Sequence, residues 1–87
     1  MRQVVLTFTN SSASPHTYWI EPWAHDFTIL PGETFEVRLV CGDTPKVEYL
    51  SRATSTQVYL NGVSDWQARQ GEAILELGHN RQHAEDS

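Results

Sequence analysis

An all-β domain is predicted, a compact antiparallel β-sandwich of about seven to eight short strands, and three observations predict it. Apolar residues recur with period 2 in run after run, and no long segment carries the 3.6-residue period of an amphipathic helix. Turn-forming residues punctuate the chain about every 8–12 residues. At 39% apolar and 10% aromatic, the 87-residue chain has the material for a core, which a disordered sequence lacks. A small jelly-roll-like or cupin-like barrel is the alternative architecture.

The elements follow in order. "QVVLTFT" sets Val4, Leu6 and Phe8 on one face. "NSSASPH" is a loop of turn formers ended by Pro15. "HTYWIE" alternates Tyr18 and Ile20 against Trp19 and Glu21, and Pro22, with no amide proton, ends that strand. "DFTIL" pairs Phe27 with Ile29 by spacing, and Pro31-Gly32 fits the central positions of a type II turn. "TFEVRLV" places Phe35, Val37 and Leu39 inward. "CGDTP" reads as a turn, "KVEYLSR" as a strand, and "ATS" as the connection to "TQVYL". Asn61-Gly62 carries the strongest local hairpin signal, because both residues tolerate positive φ, and "VSDWQA" is its returning strand. Gln70-Gly71 turns into "EAILEL", with Ala73, Leu75 and Leu77 inward. Residues 1–78 thus make one β domain, and residues 79–87, polar and without an apolar anchor, are expected to be a flexible tail.

Charge narrows the function classes. The net charge is −5, and the basic residues Arg2, Arg38, Lys46, Arg52, Arg69 and Arg81 are scattered. Nucleic acids and anionic membranes are recognised by clustered cations, so neither is expected as a partner. No stretch approaches the roughly 18 apolar residues of a membrane helix. Cys41 is the single cysteine, so no internal disulfide can form. The N-terminal run lacks the length of a signal segment, and a reducing cytoplasm is the expected compartment.

The densest set of polar groups lies in "IEPWAHDFTILPGETFEV". Glu21, His25, Asp26 and Glu33 could supply an acid, a base or metal ligands. A cupin-type metal site needs His-x-His after its Gly-rich turn, and here Phe35, Val37 and Leu39 stand at those inward positions. His25-Asp26 suits a turn closed by the aspartate on its own backbone. His79 and His83 have i, i+4 spacing but sit in a segment with no apolar face to hold a helix. Cys41 reads as a small apolar residue at a strand end. No catalytic residue, metal or cofactor is expected.

The same stretch resembles a pattern in small uncharacterised bacterial β-proteins, on Ile20, Glu21, Pro22, Trp23, Phe27, Pro31, Gly32 and Val37. That pattern usually has glycine where this chain has Ala24. The resemblance extends toward "TQVYLNG", covers about half the chain, and brings no function or site residue with it.

What remains is an exposed aromatic surface. Trp19 and Trp23 lie about 13 Å apart along an extended strand, nominally on one face, with Glu21 between them. Tyr59 and Trp66 flank Asn61-Gly62. Tryptophan and tyrosine are favoured interface anchors, which makes a small non-catalytic binding or interaction domain the first expectation, acting on a protein partner or a second copy of itself. A carbohydrate-binding module with a tryptophan platform, and Glu21 or Asp65 accepting hydroxyl bonds, is the alternative; a cupin-like metal-dependent enzyme is the third. A homodimer is expected if Val5, Trp19, Leu50, Tyr59 and Ile74 share one outward patch.

Overall fold

The computed structural model describes residues 2–86. Six strands form one mixed sheet: β1 (Arg2–Thr9), β2 (His16–Glu21), β3 (His25–Ile29), β4 (Thr34–Ser51), β5 (Ser55–Gln70) and β6 (Ala73–Ile74). A single helical turn and a half, α1 (Arg81–Asp86), follows. The path runs β1-β4-β5-β2-β3, with β6 on the edge of β5. The all-β expectation holds. Among the described residues β1 and β3, the two ends of this path, do not pair with each other, so the strands do not close into a barrel.

The strand count falls from eight runs to six because two pairs of runs fuse. "TFEVRLV" and "KVEYLSR" are the two halves of β4, and "TQVYL" and "VSDWQA" are the two halves of β5. An 18-residue strand would span about 60 Å if straight, yet the longest dimension of the molecule is 40 Å. β4 and β5 therefore bend together. The bend lies where the register slips between Cys41 and Lys46, opposite Asn61 to Val63. The two sequences read as turns, "CGDTP" and Asn61-Gly62, face each other across one bulged ladder. Gly62 has φ +74°, and a Cβ there would meet the Thr44 carbonyl oxygen at 3.2 Å.

Folding the hairpin over makes two layers. One consists of β1, the first half of β4, the second half of β5 and β6. The other consists of the remaining halves of β4 and β5, then β2 and β3. Tyr18, Ile20, Phe27 and Ile29 from the second layer pack against Phe35, Val37, Leu39 and Ala68 from the first. Rings cross the gap: Tyr18 and Phe35 centroids lie 5.0 Å apart, Phe8 and Tyr18 5.2 Å. These are the inward positions that period 2 assigns.

The antiparallel expectation needs correction at one place. β2 runs parallel to β5, Thr17 to Glu21 beside Ser55 to Tyr59. β2 and β5 are far apart in sequence, so the loop and hairpin signals around them do not fix their relative direction.

The turn at 30–33 follows the sequence. The Glu33 amide donates to the Leu30 carbonyl at 3.0 Å, and Gly32 takes φ +84°. The Glu33 carboxylate returns to the Leu30 amide at 2.8 Å. Buried Asn10 ties this turn to the loop after β1, donating to the Ile29 and Ser14 carbonyls at 2.8 Å each.

One expectation at the C-terminal end changes. "EAILEL" contributes only a two-residue strand, and of its three inward candidates only Leu75 is buried. Gly78 to Arg81, at the start of the segment expected as a flexible tail, are hydrogen-bonded to β3. The Gly78 amide donates to the Asp26 carbonyl, the Thr28 amide to the His79 carbonyl, and the Asn80 side chain to the Thr28 carbonyl. The anchor is polar, which a search for apolar residues passes over. Ser87 lies outside the described residues.

Candidate functional site

Strand alternation sends Trp19 and Glu21 to the outer face of β2, because Tyr18 and Ile20 point inward. Past Glu21 the alternation stops. Pro22 to Ala24 form the turn into β3, and Ala24 takes φ +56°. Trp23 therefore leaves the face that Trp19 occupies and turns toward the seam between the layers. The expectation that the two tryptophans share a face fails for this reason.

Trp66 comes to the same seam from the other layer. It pairs with Leu39 and shares the inward face of β5 with Ala68. Its indole is the hub of three ring contacts: Trp23 at 5.9 Å, His25 at 5.3 Å and Phe27 at 5.9 Å, all edge-to-face. These rings line a cleft of about 450 Å³. Phe27, Ala68 and Leu75 are its buried floor. Ile74 and Leu77, 59% and 56% exposed, stand on its rim beside Asp65 and Glu76. Among the described residues no lysine or arginine lines it. The crossing from β6 to the edge of β3 closes one side.

The five residues singled out from the sequence thus divide. Trp23 and Trp66 meet in the cleft. Trp19, Glu21 and Tyr59 lie on the outer face of the second layer, where Glu21 and Tyr59 are register partners and Glu48 flanks Tyr59 from β4. The Tyr59 hydroxyl donates to Gln57 Oε1 at 3.2 Å. Leu50, Gln57 and Trp19 form the neighbouring row across three strands. His25, Phe27, Ile74, Glu76 and Leu77 belong to the cleft but not to the set drawn from the sequence. Only the non-local meeting of β3, β5 and the 74–77 crossing brings them together.

The polar residues of the opening stretch separate. Asp26, buried, holds Arg81. Glu33 closes its own turn and receives Gln70 Nε2 at 3.2 Å. His25 packs on Trp66. Among the described residues no three His, Cys, Asp or Glu side chains gather in a way that could hold a metal ion. Phe35, Val37 and Leu39 fill the core where cupin ligands would stand. α1 includes His83 but not His79, whose backbone bridges to Phe27. Cys41 is buried at the bend.

A smaller hollow of about 220 Å³ lies at the other end, lined by polar residues of the 9–12 segment together with His16 and Tyr18. Burial lowers the His16 pKa and raises that of the Tyr18 hydroxyl. The hollow's central polar group, Asn10, is committed to its own loop, where its Oδ1 accepts from the Ser12 amide and hydroxyl.

No protein-family model, curated protein or solved structure matches this chain.

Proposed function

We propose that this protein is a non-catalytic binding domain that captures a protein partner through the cleft between Trp23 and Trp66. The observation that carries this reading is the cleft itself. It is concave, floored by core residues, walled by aromatic rings and rimmed by exposed Ile74 and Leu77. Its volume falls in the range of roughly 300–1,000 Å³ typical of ligand sites. Large exposed apolar side chains around a concavity mark interaction sites. Among the described residues the carboxylates and imidazoles do not converge on a shared point, which favours binding over hydrolysis or metal chemistry. Among the described residues no helix is long and apolar enough to cross a membrane. The lone Cys41 and the acidic charge fit a cytoplasmic protein that binds neither nucleic acid nor membrane, and the Ile20–Val37 pattern fits a bacterial source.

Peptide and glycan arrays, read by tryptophan fluorescence, test the proposal. Peptide binding that disappears in Trp23→Ala and persists in Trp19→Ala is the expected result. Glycan binding that depends on Trp19 would replace it with the carbohydrate-binding reading, and binding indifferent to Trp23 would reject it.

Self-association is the second reading, favoured by the outer face. Leu50 and Trp19 flank Gln57 there, 46% and 37% exposed, with Tyr59 in the next row. Val5 and Ile74 do not join them: Val5 lies on β1 in the other layer and Ile74 on the cleft rim. The patch is smaller than the five residues together would make.

A further inference from the structure

The geometry points to a cationic side chain, lysine or arginine, carried on an extended segment of the partner, as the occupant of the Trp23–Trp66 cleft. This inference rests on the binding reading above and specifies its ligand.

The first argument is electrostatic. Trp23, Trp66 and Phe27 present their rings to one space, with His25 beside them. An aromatic ring attracts a cation toward its negative face, tryptophan most strongly. Asp65 and Glu76 supply carboxylates at the rim, and among the described residues no lysine or arginine lines the cleft to oppose an incoming positive charge. One oxygen of Asp65, Oδ1, accepts from the Trp66 backbone amide at 2.8 Å, which holds the carboxylate against the main chain at that point of the cleft wall. A neutral apolar side chain would fill the volume but leave both carboxylates without a counter-charge. An anion would meet them directly. The net charge of −5 draws the same class of partner at long range.

The second argument is the backbone beside the cleft. β6 covers the edge of β5 only at Arg69 and Gln70. Leu75 extends this cover by one bond, its amide donating to the Ala68 carbonyl. Among the described residues no strand pairs with that edge of β5 from Val63 to Gln67. An extended segment laid on this edge continues the line of β6 and sets a side chain over Trp66. Strand addition of this kind takes affinity from main-chain bonds and specificity from a side-chain pocket. A free ammonium ion would use the rings and ignore the edge.

The probes are acetylated, amidated pentapeptides that differ only at the central residue: lysine, trimethyl-lysine, norleucine or glutamate. Tetramethylammonium chloride is the fifth probe. Binding is followed in proton–nitrogen NMR spectra through the indole N–H signals of Trp23 and Trp66. The lysine or trimethyl-lysine peptide is expected to bind about three- to thirtyfold tighter than the norleucine peptide, the span of a cation–π contact at a partly desolvated site. Asp65→Asn, which keeps an acceptor for the Trp66 amide, and Glu76→Gln should each reduce that preference and leave norleucine binding unchanged. Norleucine binding as tight as lysine would overturn the cation and leave the cleft a binding site. Tetramethylammonium binding as tight as the peptides would overturn the extended segment. Silence of both indoles toward every probe would overturn this inference, and the preceding arrays then tell whether the cleft binds any partner. Trp23→Ala removes binding while the far-UV spectrum stays that of the parent; if that variant unfolds, Trp23→Phe carries the comparison.

Discussion

Arg81 grips Asp26 with two hydrogen bonds, Nη2 to Oδ1 at 2.6 Å and Nε to Oδ2 at 3.1 Å. The carboxylate is buried and the guanidinium is half-exposed. Planar, two-point pairing of this kind is the stronger form of ion pair. Removing only the arginine leaves a buried charge without its partner. Arg81→Ala should therefore destabilise the domain by about 2 kcal/mol, while Gln82→Ala, one residue on and exposed, should shift it by less than about 0.5 kcal/mol. Urea denaturation of the two variants checks this, and equal, negligible effects would show that residues 79–86 contribute nothing to stability.

Ala24 stands at φ +56°, in the left-handed region that a Cβ disfavours. Ala24→Gly should stabilise the protein by about 0.5–1 kcal/mol, since relief of the Cβ clash exceeds the extra chain entropy of glycine there. The opposite exchange at the bend, Gly62→Ala, puts a Cβ 3.2 Å from the Thr44 carbonyl oxygen at φ +74° and should cost about 1–2 kcal/mol. Melting temperatures that move in the same direction for both would contradict the backbone argument.

His16 gives stability a pH dependence. Burial lowers its pKa in the folded state below the ordinary 6.5, so the unfolded chain binds the proton first as pH falls. The contribution is whole above about pH 6.5 and is lost as pH drops through the folded-state value. His16→Gln should flatten the stability profile between about pH 7 and pH 5 relative to the parent. An unchanged slope would assign the pH dependence to other groups. Thr56 Oγ1, 2.8 Å from His16 Nε2, is the polar partner that the substitution must keep in place.

If the outer face self-associates, sedimentation at micromolar concentration shows a species of two chains' mass, and Leu50→Asp returns it to one. Because Leu50 is 46% exposed, that substitution should leave the β spectrum intact. A parent that sediments as a single chain at every concentration rejects the dimer.

The inward positions were legible because each depends on one strand's own alternation. Val4, Leu6, Phe8, Tyr18, Ile20, Phe27, Ile29, Phe35, Val37 and Leu39 all face the core side as spacing requires. The Pro31-Gly32 turn was legible because proline and glycine each fix one backbone angle there. Asn61-Gly62 misled for a definite reason. Positive φ at Gly62 serves a bend within a strand as well as a hairpin turn, and what distinguishes them is the bulge of β4 opposite, where residues 42–45 face Gly62 alone. The Trp23–Trp66 pairing was hidden because Trp23 sits past the point where alternation ends. The docking of residues 78–81 was hidden because its bonds are to backbone amides and carbonyls of β3 and to one carboxylate, and such bonds leave no periodic trace.

The bent pair β4 and β5 belongs to both layers, and this governs how the molecule opens. Neither layer can detach as an independent foldon, because each would tear the ladder it shares with the other. Amide protons on both sides of the bend, such as those of Val37 and Val58, should then exchange with solvent at one common free energy, that of global unfolding. Amides of β6 and of residues 78–80, held at the margin by few bonds, should exchange through smaller, separate openings. A partner that settles on the edge of β5 would thus protect amides in both layers at once, transmitting its binding free energy across the whole sheet without any change of shape.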